Sequence, residues 1–375
     1  MNRIVKLPIA SISCVLLMAS CSTARHTQVT NTMILQNTSS ILLTDKPVTI
    51  QRSALKSRIK EGLFPLILTS KGDTIASQLD DLDGDKQWDE LFFVVNLPAN
   101  ETENFILKWE VQQPQYVKRT SVRFGKRMSE TEKVHPATNE TVYAFDMPKR
   151  MGFQRYQTDG PTWENDKVGF RHYLDGRNAK DVFGKKASFI SPEDVGINAA
   201  GAVEDNYHVM ASWGRDVMAV QNSIGIGGIA MLKDNNIYRL GVTVDDTVNN
   251  VERTDFHIIT EGPVRSMFNI SYHNWKPAGK MYDVSETPSI TPGMYAYKNT
   301  VKINRVEGTE NLLLGMVSIF STHPPEVDNV NDKWIALLSH DKHSYNKEWW
   351  LPLALIVPAD AYLGFIDAPK NGKLS

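Results

Sequence analysis

The sequence predicts an all-β protein built as a large antiparallel β-sandwich. Short runs rich in β-branched and aromatic residues recur along the chain, and each run is bounded by Gly, Pro, Asn or Asp. Residues 264–272 alternate mostly apolar with polar side chains, as expected of a strand with one buried face. No segment keeps a helical periodicity for more than about three turns. These observations together favour a sandwich over helical or mixed folds.

The predicted strands follow one another at roughly even spacing, with neither an internal repeat nor a linker between them. They cover residues 48–50, 64–69, 91–97, 105–111, 141–145, 212–220, 237–244, 256–260, 264–272, 298–303, 312–320 and 362–366. We therefore expect a single domain over residues 41–375. The last of these runs is followed by an Asn371-Gly372 turn shortly before Ser375. A final strand would be missing there, so we expect a truncated C-terminus.

The N-terminus has the pattern of a bacterial lipoprotein signal peptide. Arg3 and Lys6 precede an apolar run over 7–19 that is too short to span a bilayer, and small residues then lead to Cys21. We expect residues 1–20 to be removed, Cys21 to carry the lipid, and residues 21–40 to form a flexible tether. An ordinary signal peptide with a chance cysteine is the alternative. The pattern predicts a cell-envelope location, and Ser22 favours the outer membrane.

Composition limits the remaining function classes. The 375 residues include 41 basic and 43 acidic side chains, a balance without the positive charge that nucleic-acid binding requires. The only two cysteines are Cys14, in the signal peptide, and Cys21, so no disulfide is expected in the mature protein. No second apolar stretch reaches transmembrane length. We expect contact with a membrane only through the lipid anchor.

Residues 78–90 form an acidic segment directly before a predicted strand. Asp81, Asp83, Asp85 and Asp89 occupy positions one, three, five and nine of a calcium-type loop. The segment departs from an EF-hand because Phe92 stands at position twelve and flanking helices are missing. Two interpretations stay open: a structural Ca²⁺ loop, or an Asp-rich turn that needs no metal.

Residues 159–183 concentrate groups that stack on sugars, bind carboxylates and exchange protons. The candidates in this block are Trp163, Glu164, Asp166, Arg171, His172, Tyr173 and Arg177. If 170–174 is a strand, Arg171 and Tyr173 share one face and His172 lies on the other. In the structural alternative, Trp163 belongs to the core, and Glu164, Asp166 and Arg177 form an ion-pair network.

A third cluster, over residues 204–216, adds His208 and Trp213. A histidine such as His208 is more often structural than catalytic, unless folding brings it to an acidic partner. The glycines at 225–228 lack the spacing of a dinucleotide fingerprint, so no nucleotide cofactor is expected. The sequence also lacks a Gly-x-Ser-x-Gly elbow, a His-Glu-x-x-His motif and a cysteine nucleophile.

These three clusters resemble a family of secreted bacterial proteins, domain of unknown function 4861. The resemblance rests on residues 81–93, 160–183 and 207–228, and the middle block is the most specific. It implies a galactose-mutarotase-like supersandwich. It also implies the handling of pectin-type oligosaccharides that contain uronic acids, without fixing a reaction.

We therefore predict a carbohydrate-active envelope lipoprotein that acts on acidic oligosaccharides by hydrolysis, elimination or epimerisation. The predicted catalytic residues are Glu164, Asp166, His172 and His208. Substrate binding is assigned to Trp163, Arg171, Tyr173, Arg177 and Trp213, with an arginine on the uronate carboxylate. The alternative is a glycan-binding lipoprotein without catalysis, in which stacking by Trp163 or Trp213 suffices.

Overall fold

The computed structural model describes residues 32–56 and 58–368, and their regular secondary structure is almost entirely β-strand. Every pairing between its named strands is antiparallel, which confirms the predicted fold class. Over the described residues, no helix is both long and apolar enough to cross a membrane.

Residues 32–110 form a small sandwich of two sheets. Its strands are β1 (Thr32–Gln36), β2 (Leu43–Gln51), β3 (Phe64–Thr69), β4 (Thr74–Ile75), β5 (Ser77–Asp80), β6 (Glu90–Leu97) and β7 (Thr102–Glu110). One sheet has the strand order β1-β7-β3-β4, and the other has the order β2-β6-β5. Inward side chains such as Leu35, Ile67 and Phe93 form a separate hydrophobic core.

The middle of the chain builds the sheet that carries most of the predicted site residues. The elements here are β8 (Thr120–Arg123), β9 (Gly125–Lys126), β10 (His135–Pro136), β11 (Asn139–Tyr143), α1 (Pro148–Met151), β12 (Thr162–Asn165), β13 (Val168–His172), β14 (Lys180–Lys185) and β15 (Gly214–Asp216). Five strands form the sheet β15-β14-β13-β12-β8, which we call the site sheet. Strands β12 and β13 are buried throughout, because the sandwich core covers one face and loops cover the other.

The C-terminal part adds further antiparallel strands. They are β16 (Ile226–Lys233), β17 (Asn236–Arg239), β18 (Arg253–Glu261), β19 (Ser266–Trp275), β20 (Tyr282–Ile290), β21 (Lys298–Asn304), β22 (Asn311–Met316), β23 (Glu326–Asn331), β24 (Trp334–Asp341) and β25 (Leu351–Pro358). The sheets are β11-β18-β19-β20-β21, β17-β16-β22 and β23-β24-β25. Short 3₁₀ segments lie at Arg52–Leu55, Gln157–Asp159, Asn206–His208, Pro277–Gly279, Tyr345–Lys347 and Ala359–Ala361.

The largest core lies in this second part of the molecule and joins the site sheet to the sheet around β19. The alternation predicted over 264–272 is visible in β19, where Phe268, Ile270 and Tyr272 are buried and the residues between them are partly exposed. Trp163 reaches this core from β12, with its ring centroid 5.0 Å from that of Phe268. The sandwich thereby fixes the orientation of β12 and its neighbours.

Two sequence predictions about the ends of the fold need correction. Residues 21–40 were assigned to a tether, but 32–36 form β1, in which Met33 and Leu35 are buried against β7. The alternation of these two apolar side chains is too short to stand out among the surrounding Thr, Ser and Asn. Residues 362–366 are not a strand, and Leu363 and Phe365 are exposed. Cys14, Cys21 and the Asn371-Gly372 turn lie outside the described residues.

Candidate catalytic site

The hairpin of β13 and β14 places different chemical groups on its two faces. Arg171 is in register with Asp181, and its Nη2 donates a hydrogen bond to Tyr173 Oη at 2.5 Å, so these three side chains share the outer face. On the inner face, His172 Nε2 lies 3.4 Å from Tyr272 Oη. The predicted separation of Arg171 and Tyr173 from His172 is observed.

A buried guanidinium organises the carboxylates of the outer face. Arg171 Nη2 binds Asp181 and also donates to Asp216 Oδ2 at 2.8 Å. Its Nη1 lies 3.6 Å from Asp159 Oδ2, and Tyr173 Oη donates to Asp181 Oδ2 at 2.9 Å. We call Arg171, Tyr173, Asp181, Asp216 and Asp159 the Arg171 cluster. Its carboxylates outnumber its single cation.

Strand register explains why two of these carboxylates meet. Asp216 of β15 is in register with Phe183 of β14, and Asp181 is two residues before Phe183. A two-residue step along a strand returns to the same face, so Asp181 and Asp216 project to the same side of adjacent strands. Arg171 on β13 completes the row from the other side of β14.

His208 is the half-exposed member of this arrangement. It ends the 3₁₀ segment Asn206–His208, and its side chain keeps 38% of its surface exposed. Its Nδ1 lies 3.6 Å from Asp216 Oδ2, and its ring meets that of Tyr345 edge-on with centroids 5.2 Å apart. The imidazole thus connects a buried carboxylate with the protein surface.

Burial shifts the proton affinities of this histidine and its partner. Desolvation and the neighbouring Asp181 carboxylate raise the pKa of Asp216 well above its usual range, against the opposing effect of Arg171. Desolvation and the positive charge of Arg171 lower the pKa of His208 below its usual value of 6.5. His208 is therefore largely neutral at pH 7 and can accept a proton.

Two predicted catalytic carboxylates serve structural contacts. Glu164 lies on the same face as Arg171 but pairs with Lys185, and it accepts the Ser191 backbone N–H at 3.0 Å. Asp166 pairs with Arg119 at 2.7 Å and accepts the Gly293 backbone N–H at 2.8 Å. Neither carboxylate contacts His208 in this arrangement, so their positions favour the structural alternative.

His172 is also removed from the candidate site, because it is fully buried on the inner face of the site sheet. Its ring faces Tyr272, and the positive charge of Lys180 reinforces the effect of burial in lowering its pKa well below 6.5. Lys180 in turn pairs with Glu286 at 2.7 Å, and both side chains are buried. His172 therefore belongs to a polar network inside the main core.

The predicted substrate-binding residues are mostly inaccessible. Trp163 and Trp213 are buried, the first against Phe268 and the second against Phe183. Arg171 and Tyr173 are buried in the Arg171 cluster. These four side chains do not offer a surface on which a sugar could stack.

Arg177 is closer to solvent but already has partners. Its guanidinium binds Asp175, with Nη2–Oδ2 at 2.5 Å, and lies 3.8 Å from the centroid of the Tyr173 ring. A second carboxylate, that of Asp159, lies 3.5 Å from Nη2. An acidic ligand would have to compete with both carboxylates, so Arg177 is a poor uronate-binding residue.

A family model for the domain of unknown function 4861 matches residues 35–374. The chain belongs to this family. One curated relative is Uncharacterized protein P7 of Formosa agariphila, which is 27% identical over 212 residues. That alignment covers 53% of this chain and 49% of the relative, so the chain matches about half of that protein. No solved structure matches this member of the family.

Sequence reasoning about this family member missed Asp181, Asp216 and Tyr345. Both Asp181 and Asp216 belong to the clusters named above, and Asp216 also lies within the predicted strand over 212–220, whereas the strand that carries Asp181 was not predicted. Tyr345 lies far along the chain. The backbone bridge between Met218 and Ser344 brings it to His208, and sequence spacing does not reveal that bridge.

The predicted calcium loop brings together three of its four carboxylates. Ligand oxygens of Asp81, Asp83 and Asp89 lie within 4.8 Å of one another, whereas Asp85 is not part of this group. Both Asp81 oxygens accept backbone N–H groups at 2.8 Å, and Asp89 accepts another at 2.7 Å. The residues fit a cation of the calcium type, but these hydrogen bonds also explain the loop without one.

A large cavity in the described part of the chain does not coincide with the candidate site. Its volume is about 2820 Å³, and its lining is mainly apolar, with contributions from β2, the site sheet, β21 and β25. Neither His208 nor any member of the Arg171 cluster lines it. We place the candidate site at His208 because proton transfer requires titratable groups in contact with a ligand, which cavity size does not supply.

Proposed function

We propose that this protein is a carbohydrate-active envelope lipoprotein, in which His208 transfers a proton to or from a uronate-containing oligosaccharide. The observation that carries the proposal is the half-exposed imidazole of His208, whose Nδ1 faces the buried carboxylate of Asp216 at 3.6 Å. A small side-chain rotation closes this distance to a hydrogen bond, a tightening often seen when a substrate binds.

The reaction best supported by this geometry begins with proton abstraction. In a uronate, the C5–H next to the carboxylate is the acidic carbon–hydrogen bond, and neutral His208 is suited to take that proton through Nε2. A carboxyl oxygen of Asp216 accepts the Nδ1–H of His208 and so fixes the tautomer in which Nε2 is free to take the proton. Elimination follows if the C5 electron pair forms a C4–C5 double bond while the C4–O bond breaks, and the leaving oxygen takes the proton back from the His208 imidazolium. Epimerisation follows if a water molecule gives a proton to the opposite face of C5 and His208, which is half-exposed, releases its own proton to solvent.

Hydrolysis is less well supported for the described residues. Glycosidases generally need two carboxyl groups about 5 to 9.5 Å apart on either side of the scissile bond. Asp181 and Asp216 are both completely buried. Glu164 and Asp166 form ion pairs with a lysine and an arginine side chain. We therefore favour elimination or epimerisation. Glycan binding without turnover remains the second candidate, because Trp349 and Trp350 expose aromatic rings near the C-terminal end of the described chain.

The test is incubation of the purified protein with oligogalacturonate. Elimination gives a new ultraviolet absorbance, and epimerisation gives a changed proton NMR spectrum without it. His208→Ala should lower the rate about 10²-fold or more, because it removes the base. As the pH is lowered, the wild-type rate should begin to fall only below pH 6.5, because the pKa of His208 is lowered and the base stays neutral above it.

A matched control is available on another sheet. His273 pairs with Asp255 at 2.9 Å, and its side chain is 34% exposed, so His273→Ala removes a comparable His–Asp pair away from the site. Its rate should match that of the wild type. Equal losses in both variants, or turnover that survives in His208→Ala, would overturn the role of His208. Binding of the oligosaccharide without turnover would favour the glycan-binding alternative.

Two further parts of the proposal have tests of their own. Lipidation of Cys21, with an outer-membrane location, is tested by whether Cys21→Ala leaves the membrane fraction. We also propose a structural Ca²⁺ held by Asp81, Asp83 and Asp89, whose carboxylate oxygens lie within 4.8 Å of one another.

A further inference from the structure

An exposed aromatic segment lies beside the candidate site. Residues 345–350, which we call the aromatic loop, contain Tyr345, Trp349 and Trp350. The tryptophans are 40% and 52% exposed. Fully buried tryptophans such as Trp163 stabilise the core, whereas exposed ones at a site supply flat apolar surface to a ligand.

The aromatic loop is held in one conformation. Ser344 is buried, and its Oγ accepts the Trp349 backbone N–H at 2.7 Å and donates to the Trp349 carbonyl at 3.1 Å. The Tyr345 N–H donates to the Val217 carbonyl at 3.3 Å, which ties the loop to the end of β15. Because these hydrogen bonds fix the backbone of the loop, its backbone loses little conformational freedom when a ligand binds.

Charged groups adjoin the exposed rings. The guanidinium of Arg215, on β15 next to Asp216, lies 4.8 Å from the centroid of the Trp349 ring. Arg215 forms an ion pair with Glu348 at 3.4 Å, and its Nε donates a hydrogen bond to the Asp216 carbonyl oxygen at 3.0 Å. The Arg215 side chain is 14% exposed, whereas that of Glu348 is 39% exposed, so a ligand carboxylate can take the place of Glu348 beside the guanidinium. Arg177, in contrast, is held by two carboxylates.

We propose that the aromatic loop and Arg215 form the binding subsite for the acidic sugar. The C–H face of the sugar stacks on Trp349, and the uronate carboxylate binds Arg215. Tyr345, the first residue of this loop, contacts His208, so a sugar held on the loop lies next to the imidazole. The inference rests on the proposed function for its ligand class. It moves the binding role away from the buried Trp163, Trp213, Arg171 and Tyr173.

The experiment measures binding of tetragalacturonate by calorimetry, with maltotetraose as the uncharged probe. Trp349→Ala should weaken binding of tetragalacturonate about tenfold or more, because the stacking surface is lost. Arg215→Gln should weaken the binding of tetragalacturonate by a similar factor and leave any binding of maltotetraose unchanged. Raised salt should weaken binding to the wild type more than to Arg215→Gln.

The matched control is an exposed cation–aromatic pair outside the site. Arg150 lies 5.2 Å from the ring centroid of Phe145, which is 58% exposed, so Phe145→Ala removes similar surface elsewhere. It should leave the affinity unchanged. Circular dichroism and melting temperature check that each variant is folded.

The outcomes separate this inference from the proposed function. If the wild type turns over tetragalacturonate and a folded Trp349→Ala variant keeps its KM, the subsite is wrong and the His208 role stands. If binding depends on Trp349 and Arg215 but no turnover occurs, the subsite stands and the catalytic role fails. If the wild type does not bind tetragalacturonate, both proposals are overturned.

Discussion

The imidazole of His172 lies inside the main core, completely buried, where it meets the hydroxyl of Tyr272 and the positive charge of Lys180. Its pKa is lowered well below 6.5 first by burial and then by Lys180. In the unfolded chain the same side chain has a pKa near 6.5. This difference makes His172 a source of pH-dependent stability.

We predict that His172→Gln flattens the acid side of the stability profile. Below about pH 6.5 the unfolded state binds a proton at His172 that the folded state does not, so the free energy of unfolding falls as the pH falls. For one group the slope reaches about 1.4 kcal/mol per pH unit. The measurement is urea unfolding between about pH 5 and 7. The slope of the unfolding free energy against pH should be smaller in the variant by that amount.

The comparison variant is His257→Gln. His257 lies on β18 with its side chain exposed, so its surroundings change little on unfolding. Its pH slope should equal that of the wild type. A His172→Gln profile that runs parallel to the wild-type profile would mean that folding does not lower the pKa of His172.

At the scale of elements, two kinds of interaction can stabilise the acidic loop over residues 81–89, directly before β6: backbone hydrogen bonds and a shared cation. Backbone N–H groups bind the carboxylates of Asp81 and Asp89, and three carboxylates lie close enough to share a cation. Only the folded loop holds them together. A bound ion would therefore stabilise the folded state by mass action.

We predict that Ca²⁺ added after chelation raises the melting temperature of the protein. Asp83→Asn should reduce the rise, because it removes one negative charge from the three-carboxylate group. The measurement is thermal unfolding over Ca²⁺ concentrations up to roughly the millimolar range typical of extracellular modules.

Asp73→Asn is the corresponding control, since Asp73 lies in a neighbouring exposed turn and binds Thr69 rather than the acidic group. It should retain the full response to Ca²⁺. An unchanged melting temperature in the wild type at every concentration would leave an Asp-rich turn that needs no metal.

At the scale of the whole molecule, Arg265 joins the N-terminal sandwich to the main one. It precedes β19, binds Asp80 and Glu90 of the small sandwich, and lies over the Phe92 ring with 4.1 Å between guanidinium and centroid. Asp80 is completely buried, and Glu90 is nearly so. Two buried carboxylates thus depend on one guanidinium.

We predict that Arg265→Met destabilises the protein by about 3 to 5 kcal/mol, because it leaves both carboxylates buried without a cation. Chemical unfolding followed by intrinsic tryptophan fluorescence measures the change. Arg253→Met removes an exposed pair with Asp255 at 3.1 Å and should cost less than about 1 kcal/mol. Similar losses in the two variants would show that the Arg265 junction contributes no more than a surface pair.

The sequence predicted more of the fold than of the site. Runs such as 64–69 and 91–97 were recognised because β-branched and aromatic residues between turn formers have few other stable arrangements. The short strand β1 was missed, because it gains its stability from pairing with β7 across a long stretch of chain. The two faces of β13 followed from the two-residue period alone.

Residue chemistry and local periodicity were determined by the sequence: the all-β class, the acidic loop, and the separation of Arg171 from His172. The tertiary structure alone decided which groups meet. It paired Glu164 with Lys185, buried Trp163, and placed His208 beside Asp216 and Tyr345. The physical reason is that solvent exposure and charge pairing depend on contacts between distant segments, and these contacts determine whether a titratable side chain can reach a ligand.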